Sequence, residues 1–167
     1  MDDKELKEEF IKYFGKDRWN EEEQLTIYQN AIFTVCNEYL GIQPIPVIFD
    51  SLDGEVSRYD IKNQVIILNN KYINNYEELL DSTLHELEHY WQHLYVSNCD
   101  TPKARRWKEL FKTYDPSDIT CELEIDACAF AQVIAACEFG VTYKNSIPEI
   151  QKIIDLYIQS KRILSDE

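Results

Sequence analysis

Apolar residues recur at helical spacing most densely in residues 76 to 97, YEELLDSTLHELEHYWQHLYVS. Leu79, Leu80, Leu84, Leu87, Tyr90, Trp91 and Leu94 fall three and four positions apart. The spacing predicts a helix from about Tyr76 to Tyr95, capped by Asn75 with Glu78 at its third position. Its apolar surface is broad enough to require burial. Upstream, Leu6, Phe10, Tyr13 and Phe14 mark a short amphipathic helix over residues 3 to 14, closed by Gly15. Asn20 and Glu23 form a capping box for a second helix with the stripe Leu25, Tyr28, Ile32, Val35, Cys36, Tyr39 and Leu40, stopping at Gly41.

Residues 42 to 69 lose this period. Pro44 and Pro46 break helical continuity, and Val47 to Phe49, Val56 to Ile61 and Gln64 to Leu68 read as short strands. Asp53-Gly54 and Lys62-Asn63 supply turns between them, which predicts a small meander, at least partly antiparallel. Downstream, Thr101-Pro102 starts a helix ending near Tyr114. Asp115-Pro116-Ser117-Asp118 is expected to open a long helix to Phe139, with Gly140 as its stop. Ser146-Ile147-Pro148-Glu149 caps a last helix to about Leu164. With no repeat or linker, residues 1 to 167 read as one domain. The expected class is α+β, mostly helical, with a three-stranded sheet beside the helix of residues 76 to 97.

Charge narrows the choice of partners. A net charge of −14 sets the average field against nucleic acid and anionic membranes. The basic residues Lys103, Arg105, Arg106, Lys108 and Lys112 read as a solvated face balancing nearby acids. Five cysteines with no CxxC pair fit free thiols in a reducing compartment. The charged N-terminus has no apolar signal-peptide core, and no stretch is apolar enough for a membrane helix. A cytoplasmic protein is expected.

The chemistry lies in His85-Glu86-Leu87-Glu88-His89. Two imidazoles one helical turn apart can share a metal ion, and Glu86 stands beside them to take a proton from a water molecule. The ion expected is Zn²⁺. His93 is roughly 12 Å along a straight helix from His85, and no glycine between Gly54 and Gly140 lets the chain fold back. It therefore reads as a cleft residue. The third ligand is sought among the acids of TCELEIDACAFA. Glu122, Glu124 and Asp126 cannot all face the metal, and Glu124 shares the apolar face of Ala127 and Ala131.

HELEH followed about 30 residues later by ExDAxAFA resembles the zincin metallopeptidases with a glutamate third ligand, and among them the compact ImmA/IrrE-type proteins. Glu124, Ala127, Phe130 and Ala131 occupy the pattern E-x-x-A-x-x-F-A. The resemblance covers about residues 45 to 135. It implies a zincin-like fold, Zn²⁺ held by His85, His89 and Glu124, and Glu86 as general base. Many such proteins carry an aspartate four residues after the glutamate ligand. Here that position is Cys128, and the E-x-x-x-D spacing is met by Glu122 and Asp126. Glu122 is thus a rival ligand, and Asp126 a group to orient a histidine. The expected function is hydrolysis of a peptide bond in an intracellular protein or peptide. Tyr90, His93, Tyr95, Arg106 and Tyr114 are candidate oxyanion donors, and the strand Gln64 to Leu68 a candidate edge for the substrate. The alternative is a zinc-binding regulatory protein on the same scaffold, without general proteolytic activity.

Overall fold

A computed structural model of the chain describes residues 20 to 165, with side chains through Lys161. The helix expected over residues 3 to 14 lies outside the described residues. The described chain is α+β and mostly helical.

Helix α1 spans Glu21–Val35. Its capping box is formed on both sides, with Glu23 N–H donating to Asn20 Oδ1 at 2.9 Å and Asn20 N–H to Glu23 Oε2 at 3.0 Å. The helix widens into a π turn over Cys36–Leu40, which Gly41 ends at φ 63°. That left-handed conformation is one a side chain would resist.

Three strands follow: β1 (Val47–Asp50), β2 (Ser57–Asp60) and β3 (Val65–Asn69). Their order is β1-β3-β2, with β1 parallel to β3 and β2 antiparallel to it. The expected meander is therefore replaced by a mixed sheet. Ile66 and Leu68 are fully buried, whereas β2 buries no residue completely. The most apolar strand takes the centre, and both its edges are paired. It has no edge to offer a substrate, and among the described residues the unpaired edge nearest the site belongs to β2. Asn69 ends β3 with its side-chain amide donating to the carbonyls of Leu52 and Glu55 at 2.9 and 2.7 Å. It thereby ties the β1–β2 loop to the sheet centre.

Helix α2 spans Tyr76–Asn98 and crosses the molecule. Asn75 does not cap it through the backbone. Its side-chain amide donates instead to Glu78 Oε2 at 2.6 Å. Leu79, Leu84 and Leu87 are inaccessible and join Ile32, Val35, Ile66, Leu68, Ala131 and Ala135 in the main core. Helix α3 spans Pro102–Lys112, capped by Thr101 Oγ1 accepting from Ala104 N–H at 3.0 Å.

Helix α4 runs over Glu122–Phe139, four residues later than Asp118. Asp115 and Asp118 close turns instead. Asp115 accepts from Ser117 N–H and Oγ, and Asp118 from Thr120 N–H and Oγ. These local bonds compete with helix formation. Helix α5, Pro148–Ser165, packs Ile150 and Ile154 against Ile125 and Ala129 of α4. Helices α2 and α4 lie against each other, and the candidate site forms where they meet.

Candidate metal centre

His85 and His89 project from one face of α2, a single turn apart. Glu124 projects toward them from the first turn of α4. His85 Nε2 lies 3.1 Å from Glu124 Oε2 and His89 Nε2 lies 3.0 Å from Oε1, while the two Nε2 atoms are 3.1 Å apart. One tetrahedral zinc ion with ligands at 2.0–2.1 Å would separate its donors by about 3.3 Å. The donor set of two imidazoles and one carboxylate suits zinc, and the three groups could hold it after adjustments of a few tenths of an ångström.

Glu122 points elsewhere. Its carboxylate accepts two hydrogen bonds from Arg106, at 2.7 and 3.1 Å, and one from the Trp107 indole at 3.0 Å. The Arg106 contacts hold it below the usual carboxylate range, against a smaller effect of burial. Glu122 thus joins α3 to α4, leaving Glu124 as the acid that meets the histidines.

The electrostatics concentrate on this cluster. Burial alone would raise the Glu124 carboxyl, but hydrogen bonds from both histidines outweigh it and hold the group well below its ordinary value. Burial would likewise lower His85, and the thiol of Cys128 and the carboxylate of Glu124 together reverse that. An ionised glutamate 6% exposed is costly without cationic partners.

Each histidine has a different partner behind it. His85 Nδ1 faces Cys128 Sγ at 3.5 Å, so a thiol stands where the resemblance expects an aspartate. His89 Nδ1 lies 2.9 Å from Gln92 Oε1. Asp126 does not touch either imidazole. It meets Gln92, Tyr157 and Lys161 instead. Glu88, the other acid of HELEH, turns inward. Burial and the neighbouring Asp126 charge push its carboxyl well up.

Glu86 faces a groove of about 630 Å³ that also exposes His85, His89, Glu124, Tyr114 and Ser57. Ser57 Oγ donates to Glu86 Oε1 at 2.7 Å, which fixes the carboxylate at the wall of the groove. Five donors were candidates for stabilising an oxyanion, and the fold separates them. Tyr90 packs on Tyr59, Tyr95 stacks on Trp91, and Arg106 is held by Glu122. His93 and Tyr114 line the groove. His93 stacks on Phe111 at 4.1 Å, and burial followed by the nearby His89 pushes its pKa down to about 4, so it stays neutral. The Tyr114 hydroxyl donates to Glu124 Oε1 and lies 3.4 Å from His89 Nε2.

Ser57 and Gln92 were not singled out from the sequence. Gln92 carries a signal, a polar residue one turn after Glu88 and His89 on the same side of α2. Ser57 carries none, since its strand has no hydrophobic alternation. The expected basic face on α3 is largely paired: Arg105 with Asp100, Arg106 with Glu122, Lys112 with Glu109, and Lys103 over the Trp107 ring. Comparison with protein-family models, curated proteins and solved structures finds no match for the chain.

Proposed function

We propose that this chain is a zinc-dependent metallopeptidase of the zincin type, hydrolysing a peptide bond in a protein or peptide substrate. The observation that carries the reading is the convergence of His85, His89 and Glu124 at the floor of a groove whose wall presents Glu86. Three protein ligands that open onto a groove match the requirement of a catalytic rather than a structural zinc site. When bound, zinc would supply Lewis acidity, polarising a carbonyl and bringing a water molecule's pKa toward neutrality.

The residues of the chain do the rest. Glu86 accepts the proton of the attacking water and returns it to the leaving amine. Ser57 keeps the Glu86 carboxylate turned into the groove. Tyr114, beside Glu124 and His89, offers its hydroxyl to the negative charge that develops on the carbonyl oxygen. The β2 edge at Ser57 to Tyr59 borders the groove and can pair with an extended peptide.

The charge of −14 disfavours nucleic acid as substrate. Among the described residues no helix is long and apolar enough to cross a membrane. The five cysteines, all free, support a reducing compartment such as the cytoplasm.

The test is Glu86→Gln. It should retain stoichiometric zinc and lose peptide hydrolysis by about 10²-fold or more. Tyr114→Phe should also keep zinc while lowering kcat more than it raises KM. Full hydrolysis in the Glu86 variant removes the general base from this scheme. Absence of zinc from the wild-type protein removes the reading itself.

A further inference from the structure

Behind His89 runs a chain of hydrogen bonds that the reaction scheme does not use. Gln92 is fully buried and Asp126 is 1% exposed, both in the interface of α2 and α4. The Gln92 amide nitrogen donates to Leu123 O at 3.0 Å and to Asp126 Oδ2 at 2.9 Å. A carbonyl and an ionised carboxylate only accept, so they fix which end of the amide faces them. The other end, Oε1, is therefore the atom 2.9 Å from His89 Nδ1. An amide oxygen only accepts as well, so the proton lies on Nδ1. Nε2 is then the nitrogen aimed at Glu124 and His85, where a metal would be held.

Asp126 is itself held from α5. Tyr157 donates its hydroxyl to Oδ1 at 2.7 Å, and Lys161 its ammonium at 2.6 Å. A leucine at position 92 would fill the interface at lower desolvation cost. The amide is favoured only because both of its ends are used.

We propose that Gln92 is a positioning residue for His89, and that α5 tunes the affinity of the metal centre through Lys161, Tyr157, Asp126 and Gln92. The proposal rests on the reading of His89 as a metal ligand. It extends that reading to an element none of whose described side chains lines the groove. Partners of this kind change metal affinity by about 10–100-fold when removed.

Two measurements decide it. First, ¹⁵N NMR of the imidazoles in the metal-free wild-type protein should show a proton on His89 Nδ1. A neutral imidazole with its proton on Nε2 alone overturns the relay. Second, zinc affinity is read by competition with a chromophoric chelator. Gln92→Leu should weaken it by about 10–100-fold. The double variant Tyr157→Phe/Lys161→Met should weaken it several-fold, while Leu156→Ala, on the exposed face of α5, leaves it unchanged. A folded Gln92→Leu protein with wild-type affinity overturns the proposal. If that variant does not fold, unchanged affinity in the double variant overturns the role of α5. If the wild-type protein binds no zinc, the functional reading falls, and the tautomer measurement still decides the link between Gln92 and His89.

Discussion

At the scale of single residues, Glu122 and Glu124 separate by what each touches. They are two positions apart on a helix, about 200° around its axis, so one metal ion cannot be served by both. Arg106 and Trp107 claim Glu122, and His85 and His89 claim Glu124. Glu124→Ala should therefore abolish most zinc binding. Glu122→Ala should leave zinc stoichiometry intact and instead destabilise the fold by about 1–3 kcal/mol, because the buried indole N–H of Trp107 loses its acceptor. Metal analysis and denaturant unfolding of the two variants check this. Zinc retained in the first and lost in the second would reverse the assignment. The motif made His85, Glu86 and His89 legible because a helix fixes their relative directions. Ser57 and Gln92 depend on a neighbouring strand and on the α2–α4 interface, which spacing alone does not reveal.

At the scale of elements, the caps of α1 and α3 were legible because the interactions are local. Asn20 with Glu23, and Thr101 with Ala104, close within three residues. Thr101→Ala should cost about 1 kcal/mol, measured by denaturant unfolding. It should leave zinc affinity nearly unchanged, since α3 carries no ligand. A large loss of zinc would show that α3 reaches the centre through Trp107 and Glu122. The sequence alone starts α4 too early because Asp115 and Asp118 are good caps in isolation. Their side chains close turns with Ser117 and Thr120, so the helix waits until Glu122. Asn75 likewise looked like a cap, and its amide went to the Glu78 side chain. Sheet order was illegible for a different reason. Neighbouring strands usually pair, but Ile66 and Leu68 bury more apolar surface than any residue of β2, and that draws β3 to the centre.

At the scale of the whole molecule, a metal that joins α2 to α4 binds the folded chain and not the unfolded one. Zinc at about 100 times its dissociation constant should add about 2.7 kcal/mol of stability and raise the thermal midpoint by about 5–10 °C. A chelator should reverse the shift, and Glu124→Ala should show none. Scanning calorimetry with and without zinc checks it, and an equal midpoint in both conditions would show that the cluster does not hold zinc in the native state. The sequence by itself determined that helices α1 to α5 form, the caps at Asn20 and Thr101, and the pair His85 and His89 with Glu86 beside them, since each rests on contacts within about one turn. It also bounded the third ligand to two acids on one helix. Only the tertiary structure brought Glu124 rather than Glu122 to the histidines, paired Ser57 with Glu86, placed Tyr114 at the groove and carried the Gln92–Asp126 relay out to α5. These contacts join residues ten or more positions apart, and their geometry follows from how buried surfaces pack rather than from any local period.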